Sequence, residues 1–293
     1  QVLTGGFGAE FGRSVGGVVN ITTKSGTNNW EVGALVSIDP NRLRETPKSG
    51  YYANTGANPL TDGKLLFDRR FNTQTGKQLG LYVGGPIIED KLFMFVAAEQ
   101  TRTDREYINL ASSSTSAAST GWADSSRKID RFLGKFDWNI TDNHRLELTL
   151  IGDTPKTDLK LSGFDYATGT RNGIVRSSEH YSNIAVQDGG NGGKAKVLRY
   201  TGNLTDNFTV QALYGVNKAK HINTYDGYDI NQPLFQVSAP VAARAPGLTY
   251  NNPQPLTGFL TPPGAEDETK SMRLDLEYKI GAHTIRAGVD DNK

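Results

Sequence analysis

The 293-residue chain contains no cysteine. This absence excludes disulfides, thiol catalysis and cysteine-ligated metal, and it is compatible with an oxidising compartment, where a free thiol would be a liability. Long apolar runs are also absent, because no stretch approaches the roughly 20 residues that a membrane-spanning helix needs. The first residues lack the basic and apolar regions of a signal peptide. The sequence therefore predicts no helical membrane protein, and we expect either that the chain is not exported or that its N-terminus is missing.

An excess of charge of one sign is missing as well. The chain has 32 basic and 31 acidic residues spread along its length, which gives a formal net charge of +1 at pH 7. Because there is no basic tract, we expect no nucleic-acid partner.

Recognisable catalytic and cofactor motifs are also lacking. The glycine-rich stretch 189–194 does not have the glycine and hydroxyl residue that a phosphate-binding loop needs at Asp188 and Ala195. The stretch 6–12 approaches a dinucleotide fingerprint, but no strand pattern precedes it and no helical pattern follows it. The four histidines have no metal-ligand spacing. We therefore expect no enzyme activity, no cofactor and no metal site.

Apolar residues recur at every second position, which is the period of a β-strand. The first such stretch covers residues 30–38, and the others form four predicted hairpins, each with a short run of turn-forming residues between two alternating stretches. The predicted turns lie at 84–91, 141–144, 205–207 and 281–283. The pattern predicts about nine antiparallel strands.

Short turns alternate with long connections along the chain. The long connections are rich in glycine, proline, asparagine, serine and aspartate and lie at 40–76, 101–129, 154–195 and 218–270. Outer-membrane β-barrels have this asymmetry, with short periplasmic turns and long extracellular loops. A strand of about ten residues tilted near 45° covers on the order of 23 Å, close to the ~25 Å apolar band of such barrels. The sequence therefore predicts an all-β fold that is part of a transmembrane, antiparallel, up-and-down β-barrel.

The two faces of the predicted strands differ in chemistry. We expect Leu146, Leu148 and Leu150 to point out of a curved sheet, while Arg145 and Glu147 point inward. A soluble antiparallel sandwich with one face in solvent would give the same alternation. A structure with these leucines buried between two sheets would favour the sandwich.

Three stretches resemble a known family. QVLTGGFGAEFGRSVGGVVNITTKSGTNNWEVGALVSI, at 1–38, resembles the end of the plug domain and the first barrel strand of TonB-dependent outer-membrane receptors, most closely of the Oar-like branch. GLYVGGPIIEDKLFMFVAAEQTR, at 80–102, resembles the second and third barrel strands of that branch. RKIDRFLGKFDWNITDNHRLEL, at 127–148, is similar to its next hairpin.

This resemblance implies a division of the chain into two parts. Residues 1–27 would be the C-terminal end of a plug domain, and 28–293 the N-terminal part of a barrel. The complete receptors have about 22 strands, so we expect the chain to be an internal fragment. The expected plug–barrel junction residues are Gly16, Gly17, Asn20, Lys24, Ser25, Gly26 and Thr27.

The resemblance also implies a function in the Gram-negative outer membrane. Such a receptor binds a scarce solute, for example a siderophore, cobalamin, a glycan or a peptide, and imports it with energy that TonB transmits. The implied partners are the TonB–ExbB–ExbD system, reached through a segment N-terminal to this chain, together with outer-membrane lipid, lipopolysaccharide and the extracellular solute. Candidate ligand contacts in the loops are Tyr51, Tyr52, Arg69, Tyr225 and Tyr228. The alternatives are a passive or adhesive outer-membrane β-protein and a soluble carbohydrate-binding β-domain.

Overall fold

The computed structural model describes residues 2–3, 18–19, 22–60, 62–110, 120–165, 170–182, 192–227, 229, 231–232 and 265–293. These residues form β-strands, connected by turns and loops, and one 3-10 turn at Asn41–Leu43. The strands are β1 Val2–Leu3, β2 Val18–Val19, β3 Glu31–Asp39, β4 Gly50–Tyr51, β5 Leu65–Phe67, β6 Thr73–Ile88, β7 Leu92–Leu110, β8 Thr120–Thr141, β9 His144–Asp165, β10 Thr170–Ser182, β11 Gly193–Thr205, β12 Phe208–Lys220, β13 Ile222–Tyr225, β14 Glu266–Ile280 and β15 His283–Asn292. Across the described residues, no helix has the length and apolar character needed to cross a membrane.

One large antiparallel sheet dominates the fold. Its main path contains nine strands in the order β3-β6-β7-β8-β9-β11-β12-β14-β15. Strand β9 is shared, because its first half pairs with β11 and its second half pairs with β10, which in turn pairs with β13. The pairs β1–β2 and β4–β5 are separate two-stranded sheets. The predicted fold class, an antiparallel up-and-down barrel in part, is confirmed, and the barrel is not closed within the described residues.

All four predicted hairpins are present, but the first turn is shorter than the predicted 84–91, because β6 continues to Ile88 and pairs there with β7. They are β6–β7, β8–β9, β11–β12 and β14–β15. Three of them turn within two residues, since the last ladder pairs are Thr141 with His144, Thr205 with Phe208, and Ile280 with His283. In the last turn Gly281 has a φ of +56°, which glycine adopts without steric strain.

The strands are longer than the sequence pattern predicted. Strand β7 continues to Leu110 and β8 begins at Thr120, so much of the segment 101–129, predicted as a loop, is strand. Strand β9 likewise continues to Asp165, into the predicted loop 154–195. The ladder between β7 and β8 runs without interruption from Leu92 and Trp138 to Leu110 and Thr120. Because ladder hydrogen bonds join backbone groups, polar side chains do not end a strand whose neighbour continues.

The side chains divide the sheet into an apolar face and a polar face. The apolar face includes Val32 and Val36 of β3, whose exposed fractions are 77% and 68%. On the polar face, Lys135 and Asp137 of β8 are only 7% and 2% exposed. Charged groups are thus more enclosed than valines, the reverse of a soluble protein, and the pattern is that of a sheet whose apolar face meets lipid.

Candidate functional site

A cluster of four charged side chains lies on the polar face of the β8–β9 hairpin. Arg145 donates to Asp137 at 2.8 Å and to Glu147 at 3.3 Å, and Lys135 lies 3.8 and 3.5 Å from these two carboxylates. On the opposite face, the same stretches carry the apolar residues of the two strands. The structure thus places Arg145 and Glu147 on the opposite face from the three leucines of β9. The charged side chains at the level of the apolar residues therefore point away from the face where lipid is expected, because a charged group is costly inside a bilayer.

A cavity of about 740 Å³ lies on the polar face, farther from the short turns than the charged cluster. Its walls come from β6 to β9 and from the connection between β3 and β6. At this level of β8, Asp124, Ser126, Lys128 and Asp130 replace the apolar residues on the opposite face. The cavity therefore lies beyond the apolar band, at the end of the sheet that carries the long connections.

The connection between β3 and β6 is tied to the strands by two asparagines. The backbone N–H of Gln74 donates to Asn41 Oδ1 at 2.9 Å, and the backbone N–H of Ile108 donates to Asn72 Oδ1 at 3.1 Å. Both asparagines line the cavity. These long-range hydrogen bonds fix the loop wall in place, so that the cavity is formed before any ligand arrives.

A buried carboxylate braces the same loop. Asp68 is 5% exposed and accepts hydrogen bonds from the Arg70 guanidinium at 2.6, 2.9 and 3.0 Å and from the Ser49 hydroxyl at 3.0 Å. The Arg70 guanidinium, together with the Arg70 backbone N–H and the Ser49 hydroxyl, holds the pKa of this carboxyl well below its ordinary value of 3.8. Asp68 is therefore charged and engaged throughout the neutral range.

Arginine is the prevalent charged residue around the cavity. The arginines in its lining are Arg44, Arg69, Arg105, Arg127 and Arg131, whereas the acidic residues are Glu45 and Asp153. Arg44 is paired with Asp39, and Arg131 lies 2.6 Å from Glu99 and 3.8 Å from Asp153. Even when Asp39 and Glu99 are counted with the lining, its arginines outnumber the carboxylates.

The predicted ligand contacts do not all lie at the cavity. Arg69 lines the cavity. Tyr51 is 63% exposed, and the backbone N–H of Tyr52 donates to the Lys64 carbonyl at 2.9 Å; neither tyrosine belongs to the described lining. The backbone of Tyr225 pairs with β10, and Tyr228 lies outside the described residues.

Strand arginines of the cavity were missed by the sequence analysis. Arg105 and Arg127 fall in the segment predicted as a loop, so no face could be assigned to them. In the structure Arg127 opposes Thr103, which places Arg105 at a diagonal position on the same face. These arginines could have been predicted by extending the two-residue alternation of side-chain faces along β7 and β8 beyond their apolar stretches.

The predicted plug–barrel junction is described from residue 22 onward. Lys24 forms an ion pair with Glu31, and its ammonium lies 5.2 Å and 5.7 Å from the ring centroids of Tyr82 and Phe95. Ser25 is half-buried, and Thr27 Oγ1 accepts a hydrogen bond from the backbone N–H of Asn29 at 3.2 Å. Three further predicted junction residues lie outside the described residues: Gly16, Gly17 and Asn20.

Gly26 makes the closest backbone approach of this junction. A Cβ at Gly26 would lie well inside van der Waals contact of the Met94 carbonyl oxygen and 2.8 Å from the Gly85 carbonyl oxygen. The adjoining chain is fixed to the β6–β7 turn, where Asn28 Nδ2 donates to Asp90 Oδ1 at 2.6 Å and Asp90 N–H donates to Asn28 Oδ1 at 2.9 Å. Glycine is required here because two strands occupy the space of a side chain.

Within the part of the chain that the structure describes, no group of three or more histidine, cysteine or acidic side chains is placed to hold a metal ion.

The chain is similar in part to a known transporter. The chain is 28% identical over 178 residues to the TonB-dependent transporter Oar of Myxococcus xanthus, an alignment that covers 54% of this chain and 16% of that protein. The chain thus spans about a sixth of the length of this relative. No protein-family profile matches.

Solved structures with similar strand arrangements include two transporters. The copper transporter OprC has a TM-score of 0.42 and 10% identity, covering 74% of this chain and 30% of that one. The toluene transporter TbuX of Ralstonia pickettii has a TM-score of 0.32 and 11% identity, covering 90% of this chain and 66% of that one.

Proposed function

We propose that this chain is part of a TonB-dependent receptor of the Gram-negative outer membrane, which binds a scarce solute and imports it with energy transmitted by TonB. The observation that carries the proposal is the exposure of the sheet. Valines of the apolar face are exposed while Lys135 and Asp137 are buried on the other face, which suits a wall between lipid and a wet interior. The partial similarity to a TonB-dependent transporter supports the energised form of transport.

The junction supports a plug–barrel arrangement. Lys24 forms an ion pair with Glu31 of β3. The segment from Lys24 to Asn28 lies against the β6–β7 hairpin through the rings of Tyr82 and Phe95 and the paired Asn28–Asp90 hydrogen bonds. We propose that residues 1–27 belong to the end of a plug and 28–293 to the barrel. TonB, ExbB and ExbD would act through a segment N-terminal to this chain, and lipid and lipopolysaccharide would surround the apolar face.

The proposal is tested by following solutes in growth medium. A strain that lacks the gene is compared with its parent, and mass spectrometry identifies the solutes that only the parent removes from the medium. We expect removal to stop when tonB is deleted or when a protonophore collapses the inner-membrane gradient. Siderophores, cobalamin, glycans and peptides are the classes to follow first.

A passive outer-membrane protein gives a different result. If the parent still removes the solute without TonB and without the gradient, the protein is a channel and energised transport is refuted. Recovery of the protein in the soluble fraction, with no heat-modifiable band on gels, would refute the outer-membrane location and favour a carbohydrate-binding domain.

A further inference from the structure

We propose that the arginine-lined cavity on the polar face is a binding site for an anionic solute that carries two or more carboxylate or phosphate groups. This inference rests on the transport function proposed above and names the solute class for it. The volume of about 740 Å³ is that of a small-molecule site. The site differs from the plug–barrel junction in both place and chemistry.

The chemistry of the lining selects anions. The lining contains five arginines and two acidic side chains. Two further carboxylates, Asp39 and Glu99, pair with Arg44 and Arg131, which still leaves more cationic than anionic groups. A guanidinium group presents a planar set of N–H donors that matches a carboxylate or a phosphate with two parallel hydrogen bonds. Several such groups around one cavity recognise a solute with several oxyanions better than a solute with one.

The sheet register brings the arginines within reach of one solute. Arg105 and Arg127 occupy diagonal positions on β7 and β8, a spacing of about 7–8 Å. Arg131 lies four residues along β8 from Arg127, which is about 13 Å at the rise of a strand. Arg69 reaches the same cavity from the loop. A solute with two or three oxyanions could therefore contact more than one guanidinium at once.

The position of the cavity suits the first contact with an incoming solute. It lies beyond the apolar band and is closed on one side by the loop that Asn41 and Asn72 attach to the strands. A positively lined cleft with low-dielectric walls raises the local concentration of anions and speeds their association, and the effect falls as salt increases.

The experiment uses the purified protein in detergent with citrate and pyrophosphate as probes. Binding is measured by isothermal titration calorimetry at low and high salt, and triethyl citrate serves as the uncharged probe. Comparison of citrate with pyrophosphate separates carboxylate from phosphate selectivity. We expect at least one of the two anions to bind, with affinity falling as salt rises, and triethyl citrate not to bind.

Single substitutions then locate the site. Arg105→Gln and Arg127→Gln should each weaken binding of the anion at least tenfold, and Arg127→Lys should recover only part of the loss because it keeps the charge without the planar donors. The matched control is Arg102→Gln. Arg102 lies on the same strand as Arg105 but on the opposite face, is 57% exposed and pairs with Asp104, so its loss should leave binding unchanged.

Several outcomes would overturn the inference. These are binding of neither anion, equal binding of triethyl citrate, or equal losses from Arg102→Gln and Arg127→Gln in variants with wild-type circular dichroism. Failure of the two proposals can be told apart. Arginine-dependent anion binding without TonB-dependent uptake refutes only the transport function, whereas TonB-dependent uptake with arginine-independent binding refutes only the anion site.

Discussion

At the scale of single residues, Gly26 shows how closely the junction is packed. Its missing side chain leaves space that the carbonyl oxygens of Met94 and Gly85 occupy. Replacement by alanine has to displace the segment from the hairpin, at a cost of about 1–3 kcal/mol. Trypsin cleavage after Lys24 should then be about tenfold faster in Gly26→Ala than in the wild-type protein, as measured by mass spectrometry of the fragments.

The control for this substitution is Gly80→Ala. A Cβ at Gly80 would have its nearest neighbour, the Leu35 Cβ, at 3.5 Å, which is ordinary contact. Cleavage after Lys24 should keep its wild-type rate in this variant. Equal rates in Gly26→Ala and the wild type would mean that the junction does not depend on the close approach.

Asp68 makes the loop wall of the cavity sensitive to acid. Because Arg70 and Ser49 lower its pKa in the folded loop, the charged form stabilises the loop above the ordinary pKa of 3.8, and this contribution is lost as the pH falls toward the lowered value. Hydrogen exchange of residues 49–72, corrected for the intrinsic pH dependence, should therefore speed up below about pH 4.

The variant Asp68→Asn separates this group from other acid effects. It should exchange faster than the wild type at pH 7, because the charge-assisted hydrogen bonds to Arg70 are lost, and the extra change below pH 4 should disappear. Wild-type exchange in Asp68→Asn at both pH values would show that another group holds the loop.

At the scale of elements, a positive charge should destabilise one of two neighbouring positions of a strand much more than the other. Ala212 of β12 lies on the apolar face beside Leu274, and Gln211 lies on the polar face beside Asp275. Ala212→Arg places a cation where lipid is expected and should lower the free energy of unfolding in phospholipid vesicles by about 2–4 kcal/mol. Gln211→Arg, the matched control, should change it by less than about 1 kcal/mol.

Guanidinium titrations followed by tryptophan fluorescence provide the measurement for both variants. Equal losses in Ala212→Arg and Gln211→Arg would contradict the assignment of the apolar face to lipid. A larger loss in the polar-face variant would reverse the assignment of the two faces.

The strands and hairpins near the short turns could be predicted from sequence, whereas the cavity could not. Alternation such as that from Val32 to Ile38 is a local signal, and so are turn residues such as Asp142 and Asn143. The extension of β7 and β8 depends instead on pairing with a neighbour, which local residues do not encode. Asn41 and Asn72 likewise act through partners distant in sequence.

At the scale of the whole molecule, the nine-strand path of the main sheet ends in two open edges within the described residues. In the described residues β3 pairs with β6 alone and β15 with β14 alone. Unpaired strand edges are not tolerated in the hydrocarbon region of a membrane, because their N–H and C=O groups find no partner. When this 293-residue chain is refolded by itself in detergent, we expect it to associate through these edges.

Cysteine cross-linking can test this association cleanly, because the natural chain has no cysteine. Ser37→Cys on β3 combined with Thr284→Cys on β15 should give dimers and larger species with a bismaleimide. Asn143→Cys in the β8–β9 turn is the control and should remain monomeric on denaturing gels. Only monomers from the edge variant would contradict pairing between open edges.

The alternation of apolar and polar residues along the strands also matters for the chain before it folds. A polar or small residue interrupts the apolar positions throughout strands such as β14. If the chain reaches the outer membrane as proposed, this pattern keeps its segments from being retained as helices by the secretion channel of the inner membrane. The same residues gather into a continuous apolar surface only once the strands have paired. The apolar surface that would insert into the outer membrane therefore exists only in the folded sheet and not in the unfolded chain.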